Sequence, residues 1–243
     1  MKDFVYQYPP LYAGTLVKRY KRFLADVELV NGEIVTAHCP NTGPMTGVCD
    51  PYSPVMLSCS NNPKRKYAYT WELIQMRDAA RTWVGINTAL PNRVMKQVLE
   101  ARLIPELGDY TEIRSEVKYG SDGKSRVDFL LQGGDGKPIY VEVKNTTWAK
   151  DSLALFPDTV TQRGQKHLRE LMALVPQARS VMLYFINRSD CDRFAPGDSA
   201  DRVYGELLRE AVARGVEVLP CRFEVTTVGI RYLGLAELDL QSN

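Results

Sequence analysis

Residues 125–144 constrain the chain most. Val127, Phe129 and Leu131 alternate with Arg126, Asp128 and Leu130; after a glycine-rich turn, Val141 and Val143 alternate with Tyr140, Glu142 and Lys144. Alternation with period two marks a β-strand, so the stretch reads as two strands joined by a turn. On that reading Asp128 points away from the Val127/Phe129 face, and Glu142 and Lys144 share a face. Two acids and a lysine on adjacent buried strands need a reason, because an unpaired charge is costly to desolvate. A divalent cation supplies one: Mg²⁺ takes hard oxygen ligands, commonly one or two carboxylates with water and phosphate completing the shell. The lysine beside it would be a compact positive charge able to orient a water or a phosphate. The same spacing also suits a surface hairpin with a Glu/Lys pair, and the residues alone leave both readings open.

The flanking sequence divides in two. Residues 1–87 look all-β. The run from Thr15 to Leu29 is long and strand-like, Asn31-Gly32 is a strong hairpin signal, and residues 33–38 form the return strand. Further strands are expected near 55–60, 67–76 and 82–86, which suggests a small OB-like β-barrel. Residues 88–243 alternate helix and strand. Pro91 opens a helix with an apolar stripe to about residue 107. Strands follow near 111–119, 125–131 and 139–144, then a connection over 145–158, a helix over 160–174 and an apolar strand over 180–186. This αβββαβ order implies a parallel pairing across the second helix. A helix near 200–214 stopping at Gly215, and strands near 216–222 and 229–235, complete an α/β domain.

Composition excludes several classes. No apolar run approaches the ~20 residues of a membrane span, and Met1-Lys2-Asp3-Phe4 lacks a secretory hydrophobic region, so a cytoplasmic location without a membrane partner is expected. The five cysteines form no Cys-x-x-Cys pair, and two histidines are too few for a multi-histidine metal site. Net charge is +2, but residues 1–87 hold 10 Lys+Arg against 7 Asp+Glu, so the excess lies in the front part.

There it is clustered. Lys18, Arg19, Lys21 and Arg22 interleave with Tyr20 and Phe23, and Lys64, Arg65 and Lys66 precede Tyr67. Small barrels bind nucleic acid with basic side chains on phosphates and aromatics under bases. A solvated charged face is the plainer alternative. At the start of the second helix, Arg163, Lys166 and His167 stand at i, i+3 and i+4, so they share a face suited to phosphate or to an ordinary polar surface. A supporting acid could come from Glu116 or Glu112, which share a face of the strand before Asp128, or from Glu100 on the helix; Glu116 is preferred, with a solvated acid the plainer reading of each.

Asp128…Glu142-x-Lys144 in αβββαβ order resembles the PD-(D/E)xK nuclease core. In that core acids bind Mg²⁺ or Mn²⁺ and the lysine serves the attacking water, although Val127 stands where the motif's proline would be. The longer segments Arg19–Val27, His38-Cys39-Pro40-Asn41-Thr42-Gly43-Pro44-Met45, Asn62–Lys66, Tyr69–Leu73, Glu116–Gly120, Ser125–Leu131, Tyr140–Asn145 and Phe156-Pro157-Asp158…Arg163–Leu168 resemble the bacterial sugar fermentation stimulation family, in order and over nearly the whole chain. That resemblance implies an N-terminal OB-type barrel, a PD-(D/E)xK-like C-terminal domain, non-specific DNA binding and a regulatory role in maltose metabolism. The resulting expectation is a DNA-binding protein, with RNA as an alternative partner. Lys18, Arg19, Lys21, Arg22, Lys64, Arg65, Lys66 and Arg163 hold the backbone. Asp128 and Glu142, supported by Glu116, hold the metal at the cleft between domains. Lys144 orients the water and Lys166 steadies the phosphate. Whether phosphodiesters are cut is left open between a nuclease and a regulator on a nuclease scaffold.

Overall fold

The computed structural model describes residues 3–78, 80–119, 125–134, 136–175 and 177–241. A short strand β1 (Tyr6–Gln7) precedes β2 (Leu11–Tyr20), β3 (Leu24–Leu29), β4 (Ile34–His38), β5 (Pro54–Cys59), β6 (Tyr69–Gln75) and β7 (Trp83–Gly85). Their sheet order is β4-β3-β2-β5-β6-β7, and His38 on β4 also pairs with Thr70 on β6, closing β2–β6 into a five-stranded barrel. Inward positions alternate as a pleat requires: Leu16, Ala25, Val27, Ala37, Val55, Leu57 and Trp71 are completely buried. Gly32 makes the β3–β4 turn with φ +83°, a conformation a β-carbon disfavours.

The run from Thr15 to Leu29 is two strands rather than one. It reverses at Lys21-Arg22-Phe23, where Lys21 and Arg22 take φ of +48° and +66°. No glycine or asparagine announces this turn. It is held from outside, because Arg19 Nη2 donates to the carbonyls of Arg22, Asn41 and Gly43 at 2.8, 3.0 and 2.8 Å, and Arg22 Nε donates to that of Thr42 at 2.8 Å.

The second half contains α1 (Leu90–Glu100), β8 (Tyr110–Tyr119), β9 (Ser125–Gly133), β10 (Pro138–Thr146), β11 (Trp148–Lys150), β12 (Leu153–Phe156), α2 (Gln162–Leu174), β13 (Arg179–Ile186), β14 (Arg193–Pro196), α3 (Arg202–Ala213), β15 (Glu217–Val225), β16 (Gly229–Leu235) and β17 (Glu237–Leu238). The expected order α1-β8-β9-β10-α2-β13 is present. The connection after β10 carries two further strands, which join β14 and β17 in a small sheet of order β11-β12-β14-β17. Helix α1 ends at Glu100, short of residue 107, because Pro105 disfavours helix at the residue before it and a 3₁₀ turn follows over Pro105–Leu107.

The main sheet runs β1-β16-β15-β13-β10-β9-β8, with β10 and β13 parallel. One face packs Phe129, Leu131, Val141 and Phe185 against Val94, Met95, Val98 and Leu99 of α1. The other packs Met182, Tyr184 and Ile186 against Leu168 and Leu171 of α2 and Tyr204 and Leu208 of α3. Cover on both faces explains the unbroken apolar run of β13. The first strand belongs to this sheet, with Tyr6 opposite Ile230, so residues 6–7 lie with the C-terminal domain and not with the barrel in which the 1–87 expectation placed them. Among the described residues no helix is long and apolar enough to cross a membrane.

Candidate functional site

The site forms where β9 and β10 part. Their antiparallel ladder runs from Pro138–Gln132 to Val141–Phe129. At the next position Asp128 reaches into the gap: its Oδ2 accepts from the Val143 N–H at 2.7 Å, and its Oδ1 from Asn92 Nδ2, at the start of α1, at 2.7 Å. The alternation of both strands sends Phe129, Val141 and Val143 to the α1 core and turns Glu142 and Lys144 toward His167 of α2.

Helix α2 supplies the other wall. Thr161 caps it, its Oγ1 accepting from the Gly164 N–H at 3.1 Å, which starts the helix where His167 is carried over the sheet. Lys144 Nζ lies 2.6 Å from Glu142 Oε1 and 3.2 Å from His167 Nδ1. Arg163 Nε lies 3.4 Å from His167 Nε2, and His167 Nδ1 hydrogen-bonds Glu142 Oε1. Beside this group, Ser125 Oγ donates to Glu170 Oε1 at 2.6 Å, and Lys166 Nζ lies 3.5 Å from the same oxygen.

The electrostatics divide the two acids. Burial, then the Glu142 charge, raises the Asp128 carboxyl to about 6, against the lowering effect of the Val143 N–H, Lys144 and Asn92. Burial works to raise Glu142 as well, but the His167 hydrogen bond and the Lys144 charge outweigh it and leave Glu142 below the usual carboxylate range. The Tyr119 hydroxyl nearby is driven up by burial and then by the Glu142 and Glu170 charges.

A divalent cation fits this donor set. Glu142 is 3% exposed, and its Oε2 is buried without a hydrogen-bond partner. A buried carboxylate oxygen left unpaired beside a second, repelled carboxylate is relieved by a cation placed between them.

The expected residues sort themselves unequally. Asp128, Glu142 and Lys144 are brought together by β9 and β10, and the further side chains that hold them, Asn92 and His167, come from α1 and α2, both in the C-terminal domain. Glu116 falls between the Ser115–Phe129 and Val117–Val127 rungs, beside Asp128, yet has φ +55° and an exposed side chain. Among the described residues no three His, Cys, Asp or Glu groups converge to hold a metal, so Glu116 does not complete a three-acid set. His167, Asn92, Ser125 and Glu170 are partners that strand alternation cannot reveal. Of these, only His167 was marked by the sequence, through the face it shares with Arg163 and Lys166 on α2.

On the barrel, the two basic clusters border the outer face of β3 and β4. Lys18 Nζ lies 3.5 Å from Asp26 Oδ2 and 5.4 Å from the Tyr20 ring centre. Asp26 Oδ1 also accepts from Tyr20 and Thr36. Lys21 and Arg22 are exposed on the β2–β3 turn. Lys64, Arg65 and Lys66 lie in the β5–β6 loop, where Arg65 Nη2 donates to Thr70 Oγ1 at 3.0 Å. Burial, then the Arg65 charge, lowers the pKa of His38, which places this loop beside β4. Turns of this kind flank the binding face of small five-stranded barrels. Arg19 is not available as a phosphate contact in the way expected, because its Nη2 is committed to three carbonyls.

Comparison with known proteins places this geometry in a lineage. Residues 17–86 match the family described as the SfsA N-terminal OB domain, and residues 89–229 match the sugar fermentation stimulation protein RE domain. A sugar fermentation stimulation protein homolog of Cyanothece sp. is 69% identical over 240 residues, covering 99% of this chain and 100% of that protein. The homolog of Trichormus variabilis is 70% identical over 239 residues, covering 98% and 99%. The solved structure of Pyrococcus furiosus SfsA in complex with Ca²⁺ superposes with a TM-score of 0.85 at 26% identity, covering 98% of this chain and 99% of that one. The chain therefore belongs to the sugar fermentation stimulation protein family, with an OB barrel at its N-terminus and the family's α/β domain after it.

Proposed function

We propose that this protein binds DNA without sequence preference through its barrel and holds a divalent cation, Mg²⁺ or Mn²⁺, between Asp128 and Glu142 on a PD-(D/E)xK-like core. The observation that carries the reading is the paired carboxylates at the opening of β9 from β10, with a buried Glu142 oxygen lacking a partner and Lys144 2.6 Å from the other. The Pyrococcus furiosus protein, solved in complex with Ca²⁺, supports a divalent ion on the same fold.

Lys18, Lys21, Arg22, Lys64, Arg65 and Lys66 contact phosphates, with Arg163 and Lys166 extending the basic surface onto α2. Such contacts position a duplex without reading bases. A bound cation would lower the pKa of a water and neutralise charge on a phosphate oxygen. Lys144 holds a positive charge over the same point, His167 fixes Glu142 and Lys144 relative to each other, and Asn92 fixes Asp128. A regulatory effect on maltose metabolism would then follow from DNA occupancy.

A second reading, metal-dependent hydrolysis of DNA or RNA phosphodiesters, is favoured by Lys144 standing beside both Glu142 and His167. Labelled single-stranded, duplex and branched DNA, and RNA, incubated in Mg²⁺, Mn²⁺ or EDTA beside Glu142→Ala, decide between the two. Metal-dependent products that vanish in the variant establish the nuclease. Retained binding with no products above the variant leaves a binder. A protein that binds no nucleic acid defeats both.

A further inference from the structure

A second polar cleft, of about 170 Å³, lies where the barrel meets the C-terminal domain. Its walls include Trp148 and Phe156, and its polar lining includes Asn41, Asn145, Thr147 and Asp158. Asn145 immediately follows Lys144 on β10, so its side chain leaves the strand on the face opposite that of Lys144. Asn41 comes from the loop clamped by Arg19, beside the basic turn of the barrel. The cleft thus borders the loop beside the basic turn of the barrel and the strand that carries Glu142 and Lys144.

Its chemistry is specific. No lysine or arginine lines it, and Asp158 does, so it repels a phosphate. The aromatic walls are rigid: Phe156 packs edge-on against Tyr204 with ring centres 5.3 Å apart, and a β-carbon on Gly197 would meet Trp148 at 2.7 Å. The polar groups retain capacity. Asn145 uses its Oδ1 to accept from Asn187, leaving its two N–H donors without a partner among the described residues. Asp158 uses only Oδ2, accepting from the Thr46 N–H at 3.4 Å, and leaves Oδ1. Flat apolar walls with amide donors and a carboxylate acceptor at the edge suit a planar heterocycle bearing ring carbonyl and amino groups. The volume equals roughly five or six waters at ~30 Å³ each, which is the scale of one base.

We infer that this cleft takes a single unstacked nucleobase from a nucleic acid lying across the barrel and the Asp128–Glu142–Lys144 site. The inference rests on the nucleic-acid reading above. Asp158 accepts from the base's amino or ring N–H, Asn145 donates to a carbonyl or ring nitrogen, and Trp148 and Phe156 supply the stacking surface.

Binding in EDTA to a fully paired duplex, and to the same duplex with one unpaired base, tests this beside Trp148→Ala, Trp148→Phe and Asp158→Asn. The wild type should prefer the unpaired base about tenfold, the order expected for one base–aromatic stack. Trp148→Ala should lose that preference while keeping its affinity for paired duplex, Trp148→Phe should restore most of it, and Asp158→Asn should change which base is preferred. A wild type that binds both duplexes equally overturns the inference and leaves the function standing. So does a preference that survives Trp148→Ala, or a loss of equal size on both duplexes. Free nucleosides and maltose as competitors separate the ligand's source: competition by nucleoside supports the inference, and competition by maltose alone overturns it. Absence of any nucleic-acid binding overturns the function and the cleft together.

Discussion

Asp128 and Glu142 show how the immediate neighbours of a carboxylate decide its behaviour. Glu142 is buried and Asp128 half-buried, but Glu142 has a lysine and an imidazole, whereas Asp128 faces Glu142 itself. The folded Asp128 carboxyl, near 6, keeps its proton where the unfolded one has lost it. Its contribution to stability therefore falls as pH rises from about 4 to 6. Glu142, depressed in the folded state, contributes stability that is present above its unfolded pKa and lost as pH falls through the folded one. Asp128→Asn should accordingly raise stability at pH 7, by about 1–3 kcal/mol, measured by denaturant melts without metal. The same substitution should abolish metal binding. A second expectation is that Mn²⁺ affinity rises about tenfold per pH unit below pH 6 and levels off above it, because the ion requires Asp128 ionised. Titration calorimetry across pH 5–8 shows this slope or its absence.

At the scale of an element, the β2–β3 turn separates structural from binding arginines. Arg19 donates to three carbonyls that span two loops, and these hold Lys21 and Arg22 in left-handed conformations. Hydrogen bonds from a charged donor contribute about 1.5–3 kcal/mol. Arg19→Ala should thus destabilise the barrel by about 2 kcal/mol, read from its denaturation midpoint. Exposed Lys21→Ala should change stability by no more than about 0.5 kcal/mol, yet weaken DNA binding and reduce the slope of log affinity against log salt by about one. Equal stability losses in the two variants would show that the turn's cations act alike. The basic composition of this segment was visible in the sequence. Which cation faces solvent was not, because the clamp joins residues 19 and 22 to residues 41–43 of another loop.

At the scale of the whole molecule, the two domains meet through Asn187. Its backbone N–H donates to Thr146, its carbonyl accepts from Gly85, and its side-chain Nδ2 donates to the carbonyl of Gly85 at 3.1 Å and to Asn145 Oδ1 at 3.0 Å. A β-carbon on Gly85 would collide with the Asn187 side chain, so only glycine permits this approach. Asn187→Ala leaves two acceptors unpaired and should cost about 2–4 kcal/mol. It should also lower affinity for DNA that spans both domains while leaving Mn²⁺ binding at Asp128 and Glu142 unchanged. Loss of metal binding in Asn187→Ala would mean that the joint supports the metal centre as well.

The sequence by itself determined the barrel followed by an αβββαβ core, the alternation that sends Glu142 and Lys144 to one face, and the position of Asp128 opposite them. Local periodicity, turn signals and the order of the elements along the chain encode those features. Tertiary structure alone decided that His167 fixes Glu142 and Lys144, that Asn92 holds Asp128, that Glu116 stays at the surface, that Arg19 braces a loop, and that residues 6–7 join the far sheet. Each of these depends on the approach of elements distant in sequence, set by core packing, and no spacing rule along the chain records it.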